Sequence, residues 1–534
     1  MQANGWVGRG RAIALAAGVG VWLWGMAAAE GQAAADALAQ TPPGEPTALA
    51  LKEFLRRVVE FNESIQLRVL DYEISRRRLR AEKGIFEPEL VASYDRQENQ
   101  RENTSEQQRS LGLPLFDEQN NVYSGGLESL LPTGAKLRLG YTLRDLRNNL
   151  QRPFFTSFTN GEYQTFFGAS LVQPLLRNGG IPATMANIRV AALASDAAFQ
   201  DYRRQMMTVV STAEAAYWNL YLLQQQTNFL HESVALAESI LRDNQVRLQA
   251  GRGSELEVLE AESGLALRRS RLAEARERLV EAANRVRALY SDARFATNVL
   301  VHAVEEPEVL APPQQPFESW RLALEQNPDV LLQRKRYQIE NVRVGYAKNQ
   351  RLVALDLKAA YGLNGLGDTP SSSWDDIQAG GFPSWSVGVE LRVPVLGGIK
   401  TRHELEAARL RQQQAALAMR EVETQLTTAL NTTFHKLRST RESIANYETV
   451  VNFNQNLLQT QLARLELGRV ESRKVLEVEA DLLEARSALA QAKVQFQQAL
   501  LELELIQGSL LATRGFEVDP KELKAKTQAV LGRW

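Results

Sequence analysis

The chain has 534 residues, and its 62 basic and 63 acidic side chains leave a net charge of −1, so no broad electrostatic footprint for nucleic acid is present. Cysteine is absent, which excludes structural disulfides, thiolate metal sites, a cysteine nucleophile and a lipidated N-terminal cysteine. Beyond the first residues no run approaches the ~18 apolar residues of a membrane-spanning helix, and the helical patterns are too long for ordinary compact domains.

In chain order, Arg9 and Arg11, the apolar run Ile13 to Trp24 and the small residues Ala27, Ala28 and Ala29 predict a secretory signal over residues 1–29, with cleavage as late as 39. A first repeat is expected over 48–304. It opens with a helix near Leu49 to Lys83, on which Arg76, Arg77 and Arg78 read as a solvated face. Leu137, Leu139, Tyr141 and Leu143 then alternate as a strand, and Phe167, Ala169 and Leu171 as a second. Leu90 to Tyr94 and Val122 to Leu127 are further strand candidates, one hairpin more than the second repeat offers. They belong either to an inserted hairpin or to one bent strand. Arg96 to Gln108 reads as a mobile polar loop.

Mostly apolar positions spaced by three and four from Ile188 through Tyr202, Leu220, Ala237 and the polar Asn244 to Leu248 predict a coiled-coil seam on a helix from Ala183 to Gln249. At ~1.5 Å per residue such a helix is roughly 100 Å long. A glycine turn follows, then a returning helix, Ser254 to Tyr290, with heptads Val258, Leu265, Leu272, Leu279 and Val286. Small residues lie three positions on at Ala261, Ala275 and Ala282.

Residues 305–316, with Pro307, Pro312, Pro313 and Pro316, predict a linker that cannot continue a helix. A second repeat over 317–511 restates the order, and residues 512–534 form a tail. Leu355, Leu357, Ala359, Tyr361 and Leu363 alternate in one strand, and Trp385, Val387, Val389, Leu391 and Val393 in another. Their length fits membrane barrel strands of about 9 to 11 residues. Between them lies the turn-rich stretch Leu366 to Pro383, where Trp374, like Trp385, suits an interfacial belt. Lys400 to Leu467 matches the first long helix, and Val475, Leu482, Leu489, Phe496 and Leu503 the returning heptads. A shift of 217 residues superposes Leu248, Gly251, Arg252, Val258, Leu259, Glu260 and Glu262 on Leu465, Gly468, Arg469, Val475, Leu476, Glu477 and Glu479 without a gap, which marks a duplication.

A few strands cannot close a barrel, and open edges are not tolerated in hydrocarbon, so several chains are expected to pool their strands against lipid. No catalytic constellation is visible. His231, His302, His403 and His435 are scattered without metal-ligand spacing, and no cofactor or metal site is expected. Gly125-Gly126 and Gly179-Gly180 read as strand kinks or turns.

With this duplicated helix, hairpin, long helix, turn and helix over residues 48–510, the chain resembles the TolC-like outer-membrane efflux family. The corners Gln173-Pro174-Leu175-Leu176 to Gly179-Gly180 and Val393-Pro394-Val395-Leu396-Gly397-Gly398, and the two Gly-Arg turns followed by Val-Leu-Glu, support the likeness. The resemblance implies a mainly helical chain with membrane β-structure, assembled as a homotrimer with a 12-stranded barrel in the outer membrane and a 12-helix tunnel in the periplasm. It implies passive export through a duct, with a periplasmic adaptor (membrane fusion) protein and an inner-membrane pump as partners. It places the turns at Gly251 and Gly468 at the periplasmic entrance, with Arg252, Glu257, Glu260, Arg469, Lys474 and Glu477 as candidates for gating or adaptor docking. Lys474 departs from the family's usual acid, and Glu257 also fits a capping box with Ser254. A periplasmic coiled-coil adaptor or a structural coiled coil is the alternative, although neither needs paired amphipathic strands.

Overall fold

The computed structural model describes residues 44–149, 161–290, 299–309 and 315–516, with isolated positions 518, 519, 523 and 528. The expected signal segment, Pro312 and Pro313 of the connector and most of the tail lie outside the described residues. The chain divides into two compact units. One, built on residues 67–204 and 321–427, holds a six-stranded sheet. The other, built on residues 205–320 and 428–517 with the N-terminal segment up to residue 66, holds the helical turns.

The elements in order are β1 (Gly44–Leu49), α1 (Leu51–Phe61), α2 (Glu63–Lys83), β2 (Glu89–Glu102), α3 (Ser105–Leu111), β3 (Leu115–Leu130), β4 (Lys136–Asn148) and β5 (Glu162–Pro174). Next come α4 (Ala186–Gln249), α5 (Glu255–Ala288), β6 (Val299–Ala303), α6 (Pro316–Gln326), α7 (Pro328–Gln350), β7 (Ala354–Gly367), α8 (Pro370–Gln378), β8 (Pro383–Arg392), α9 (Ile399–Glu466) and α10 (Ser472–Gln507). Mainly helical structure with one membrane-type sheet is the expected class.

The leading helix of each repeat is not continuous. Asn62 takes extended backbone between α1 and α2, where its side chain accepts from Ser64 N (3.1 Å). Asn327 repeats the device between α6 and α7, accepting from Asp329 N at 2.8 Å, with Pro328 at the first helical position. Asparagine competes with helix propagation by capping the next helix, so one expected helix becomes two. A short parallel pair that no periodicity marked, β1 with β6, is fixed to α4. There the Tyr217 hydroxyl accepts from Val304 N and Glu305 N and lies 2.5 Å from a Glu305 carboxylate oxygen. Burial and that carboxylate push the Tyr217 phenol well above its usual range.

The sheet runs β2-β3-β4-β5-β7-β8, antiparallel throughout. The sheet has six strands, two more than the four per chain that a 12-stranded trimer would use, and the additional segments are not one bent strand: β2 with β3 is a hairpin in the same ladder. The stretch Arg96 to Gln108 is not an irregular loop. β2 continues to Glu102, opposite Leu115, and α3 follows with Thr104 and Gln107 in a capping box.

Opposed residues share a face, so the register assigns every side chain. Leu90, Leu127, Leu139, Ala169, Tyr361 and Trp385 form one row across all six strands. Leu137, Leu171, Ala359 and Val387 form the next. This apolar face lies open, Leu90 at 82% exposure and Trp385 at 75%. The opposite face carries the ion pairs Arg138–Glu128 (3.4 Å), Arg392–Asp356 (3.0 Å) and Lys358–Glu390. The segment Leu366 to Pro383 folds back on the apolar face as α8, with Trp374 edge-on to Tyr141 and Phe167 and Ser373 hydrogen-bonded to Thr165 at 2.5 Å.

On the polar face Gly126, Gly140, Gly168 and Gly362 lie side by side in one row. A Cβ on Gly168 would stand 2.6 Å from the Tyr361 carbonyl oxygen, and one on Gly362 2.9 Å from that of Phe167. Backbones this close require glycine, and such a row is where a sheet can bend toward its polar side.

The returning helices bury the small and heptad positions read from the sequence, among them Ala261, Leu265, Leu272 and Ala275 on α5 and Val475, Leu482, Ala485 and Phe496 on α10. Arg268 stands where a small residue is due. Its guanidinium meets Glu479 at 2.5 Å and also donates to Leu476 O (3.0 Å) and Ser233 Oγ (3.1 Å). The side chains are only 10% and 8% exposed, so this pair ties α4, α5 and α10 together in a water-poor seam.

Two outcomes follow from the packing. Gly168→Val is expected to abolish most assembly of heat-modifiable protein in outer-membrane fractions, whereas Gly388→Val, whose Cβ meets nothing within 4 Å, is expected to assemble normally. Equal yields of the two on gels would refute the crowded row. Arg268→Ala is expected to cost about 3–5 kcal/mol by stranding a buried carboxylate, and Arg268→Met with Glu479→Leu to recover most of it. Thermal denaturation followed by circular dichroism distinguishes these, and a single variant as stable as the parent would remove the pair from the seam's energetics.

Candidate functional site

The two helical hairpins reverse at Gly251 and Gly468, where φ is +72° and +69°. In each turn the glycine N–H donates to a carbonyl three residues back, Leu248 or Leu465, and the following arginine N–H to one five back, Arg247 or Arg464. This pairing needs a left-handed residue, which is why glycine stands at both places. The duplication therefore extends to the hydrogen bonds of the turns.

The helices restart differently. Ser254 Oγ accepts from Leu256 N at 3.2 Å while Glu257 accepts from Ser254 N at 3.3 Å, so Glu257 is engaged in capping α5. At α10 the N-cap is Glu471 without a side-chain bond. Lys474 there meets Glu477 of its own helix at 3.1 Å, and Arg473 meets the same carboxylate at 3.2 Å. The Lys474 ammonium, then the Arg473 guanidinium, hold the Glu477 carboxyl below the usual carboxylate range. Arg252, Glu260 and Arg469 are exposed, and none makes an ion pair within the chain among the described residues.

The eight candidate residues thus cluster at two neighbouring turns, but other side chains join those turns. Arg247 donates to Leu465 O at 2.7 Å across the ends of the long helices. Asn244 donates to Glu257 O at 3.2 Å and accepts from Ser472 Oγ at 2.7 Å in a buried contact. Ile240, Leu465 and Val475 pack beneath them. Asn244 was visible in the sequence as a polar residue in an apolar seam, a common device for fixing register. Arg247 gave no such signal. Among the described residues no group of histidines and carboxylates could hold a metal ion, and no helix is long and apolar enough to cross a membrane.

Comparison with known proteins agrees with this arrangement. The family model described as "Outer membrane efflux protein" matches residues 135–291 and 320–509. The outer membrane efflux protein BepC of Brucella suis is 23% identical over 364 residues, 66% of this chain and 74% of its own length. A membrane protein from Pseudomonas aeruginosa shares the fold with a TM-score of 0.62 at 18% identity, over 86% of this chain and 90% of that one. The Campylobacter jejuni CmeC outer membrane channel does so at 0.59 and 16% identity, over 90% and 89%. The chain belongs to the outer membrane efflux protein family and is an outer-membrane exit duct with a periplasmic extension.

Proposed function

We propose that three copies of the chain form a passive export channel, the outer-membrane part of a tripartite efflux or type I secretion system. The tips at Gly251 and Gly468 meet a periplasmic adaptor protein, and an inner-membrane pump supplies the energy. The observation that carries this reading is the sheet, apolar on one face, ion-paired on the other and open at both edges. In hydrocarbon such a sheet is stable only when closed by further strands. Heptad-spaced Leu410 and Leu417 on α9, 65% and 63% exposed, offer helix faces to neighbouring copies as well.

The tips act as the gate in this reading. The latch consists of Arg252, Arg469 and Lys474 meeting acids of neighbouring copies, although Lys474 must then exchange Glu477 for a partner outside its own helix. The duplication adds Arg464. It is the repeat counterpart of Arg247, as Leu248 is of Leu465, so the bond that joins the two hairpins within a chain has an equivalent between chains. Exposed ion pairs are worth only about 0 to 1 kcal/mol each, and several must act together.

The apolar face sets the first test. Val389→Arg is expected to impair membrane assembly by about 2 to 4 kcal/mol near the midplane, and Glu390→Gln much less. Heat-resistant oligomer recovered from outer membranes measures both, and equal tolerance would refute the lipid-facing assignment. For the gate, planar-bilayer conductance should rise when Arg252, Arg469 and Lys474 are neutralised together, and also in Arg464→Ala alone. Unchanged conductance in correctly assembled variants would remove the latch and leave the duct intact.

A further inference from the structure

We infer that the barrel is built from eighteen strands, with β8 of one copy paired to β2 of the next; this rests on the trimeric reading above. Three copies of a six-stranded sheet make eighteen, not the twelve that the resemblance implies. Four observations carry it.

The inserted hairpin belongs to the ladder itself. β2 pairs with β3 along its whole length, Glu89 with Glu128 to Glu102 with Leu115, and β3 pairs with β4 from Leu130 to Glu118. β3 and β5 occupy both edges of β4, so β4 has no edge left for a neighbouring copy.

The side-chain pattern of the hairpin is that of a membrane strand over one part only. Leu90, Ala92 and Tyr94 continue the apolar rows of Leu127, Gly125 and Tyr123, and of Leu139, Tyr141 and Leu143; the Leu90 row reaches β8 at Trp385 and the Ala92 row at Pro383. Beyond Asp95 both faces of β2 are polar. A hairpin decorating the outside of a twelve-stranded wall has no reason to be apolar on one side at the level of the membrane rows. A strand within the wall must be.

Direction and edges also fit. Five antiparallel steps separate β2 from β8, so the two outermost strands run in opposite senses and a β8 to β2 joint between copies continues the antiparallel pattern. Neither edge is protected at membrane level. From Leu90 to Tyr94, β2 has no proline, charge or covering segment among the described residues, and β8 has proline only at its first residue. Unpaired backbone is excluded from hydrocarbon, and the partner that supplies the opposite edge is a second copy of this chain. Because diameter grows roughly linearly with strand number, the barrel is about 1.5-fold wider than a twelve-stranded one.

The absence of cysteine makes the joint directly testable. Ala92→Cys is combined in turn with Trp385→Cys, Val387→Cys and Val389→Cys, which lie on its face, and membranes are oxidised before denaturing electrophoresis. Within one chain four strands intervene, about 24 Å at ~4.8 Å per strand, beyond any disulfide. At least one pair is expected to convert most monomer to covalent trimer. Leu139→Cys on β4, combined with the same three, reports the competing joint; covalent trimers there overturn eighteen strands while leaving the trimer intact. Noncovalent trimers that crosslink in neither series overturn the β8 to β2 joint. A cysteine-free parent that never forms trimers overturns the trimeric reading, and this inference with it.

Discussion

A strand edge in hydrocarbon has nowhere to place its N–H and C=O groups, and most of this chain's organisation answers to that constraint. Five ladders satisfy the inner edges, and the outer edges of β2 and β8 have no partner strand among the described residues. Strand number must be even for the joint to stay antiparallel, so an insertion into the wall has to arrive as a hairpin, and β2 with β3 is one. The sheet must also curve as it closes, which the glycine row across β3, β4, β5 and β7 permits by letting backbones approach on the polar side. Ion pairs on that face cost little because water reaches them, whereas the other face carries the exposed apolar rows.

The helical part obeys a different constraint, since helices satisfy their own backbone and need only to bury a seam. Small residues on α5 and α10 allow close approach, and the seam is apolar except where Arg268 meets Glu479. A buried pair is weak evidence for stability, but it is intolerant of slippage: moving α5 by one heptad would strand both charges. The repeat counterparts of these residues are Ala485 and Glu262, so the shift that superposes the two turns does not reproduce this bond. The two hairpins of one chain are locked in register by a contact that the duplicated frame does not supply elsewhere.

Much of this was legible in the sequence for physical reasons. Helices above 60 residues give long heptad runs, and a strand that is wet on one side and apolar on the other must alternate, as Leu355 to Leu363 and Trp385 to Val393 do. The duplication was visible because the turns need glycine. What escaped was structure without a period. From Asp95 to Glu102 both faces of β2 are polar, so alternation vanishes although the strand continues. α8 is short and serine-rich, and its place on the sheet depends on Gly365 and Gly367 leaving room rather than on its own pattern. The helix breaks at Asn62 and Asn327 depend on single caps.

The candidate site was legible only in its position. Glycine conformation and the duplication locate the turns, but partners across hairpins are tertiary facts, and Arg247, with nothing unusual around it in sequence, makes the bond to Leu465 O that joins the two tips. Asn244 is the informative exception, because an amide in an apolar seam must find partners, and it finds both Glu257 O and Ser472 Oγ. Its repeat counterpart, Gln461, has a buried side-chain oxygen without a partner among the described residues. An acceptor left bare in a seam is costly, so the duplicated frame repeats the position of Asn244 without repeating its satisfied bonds.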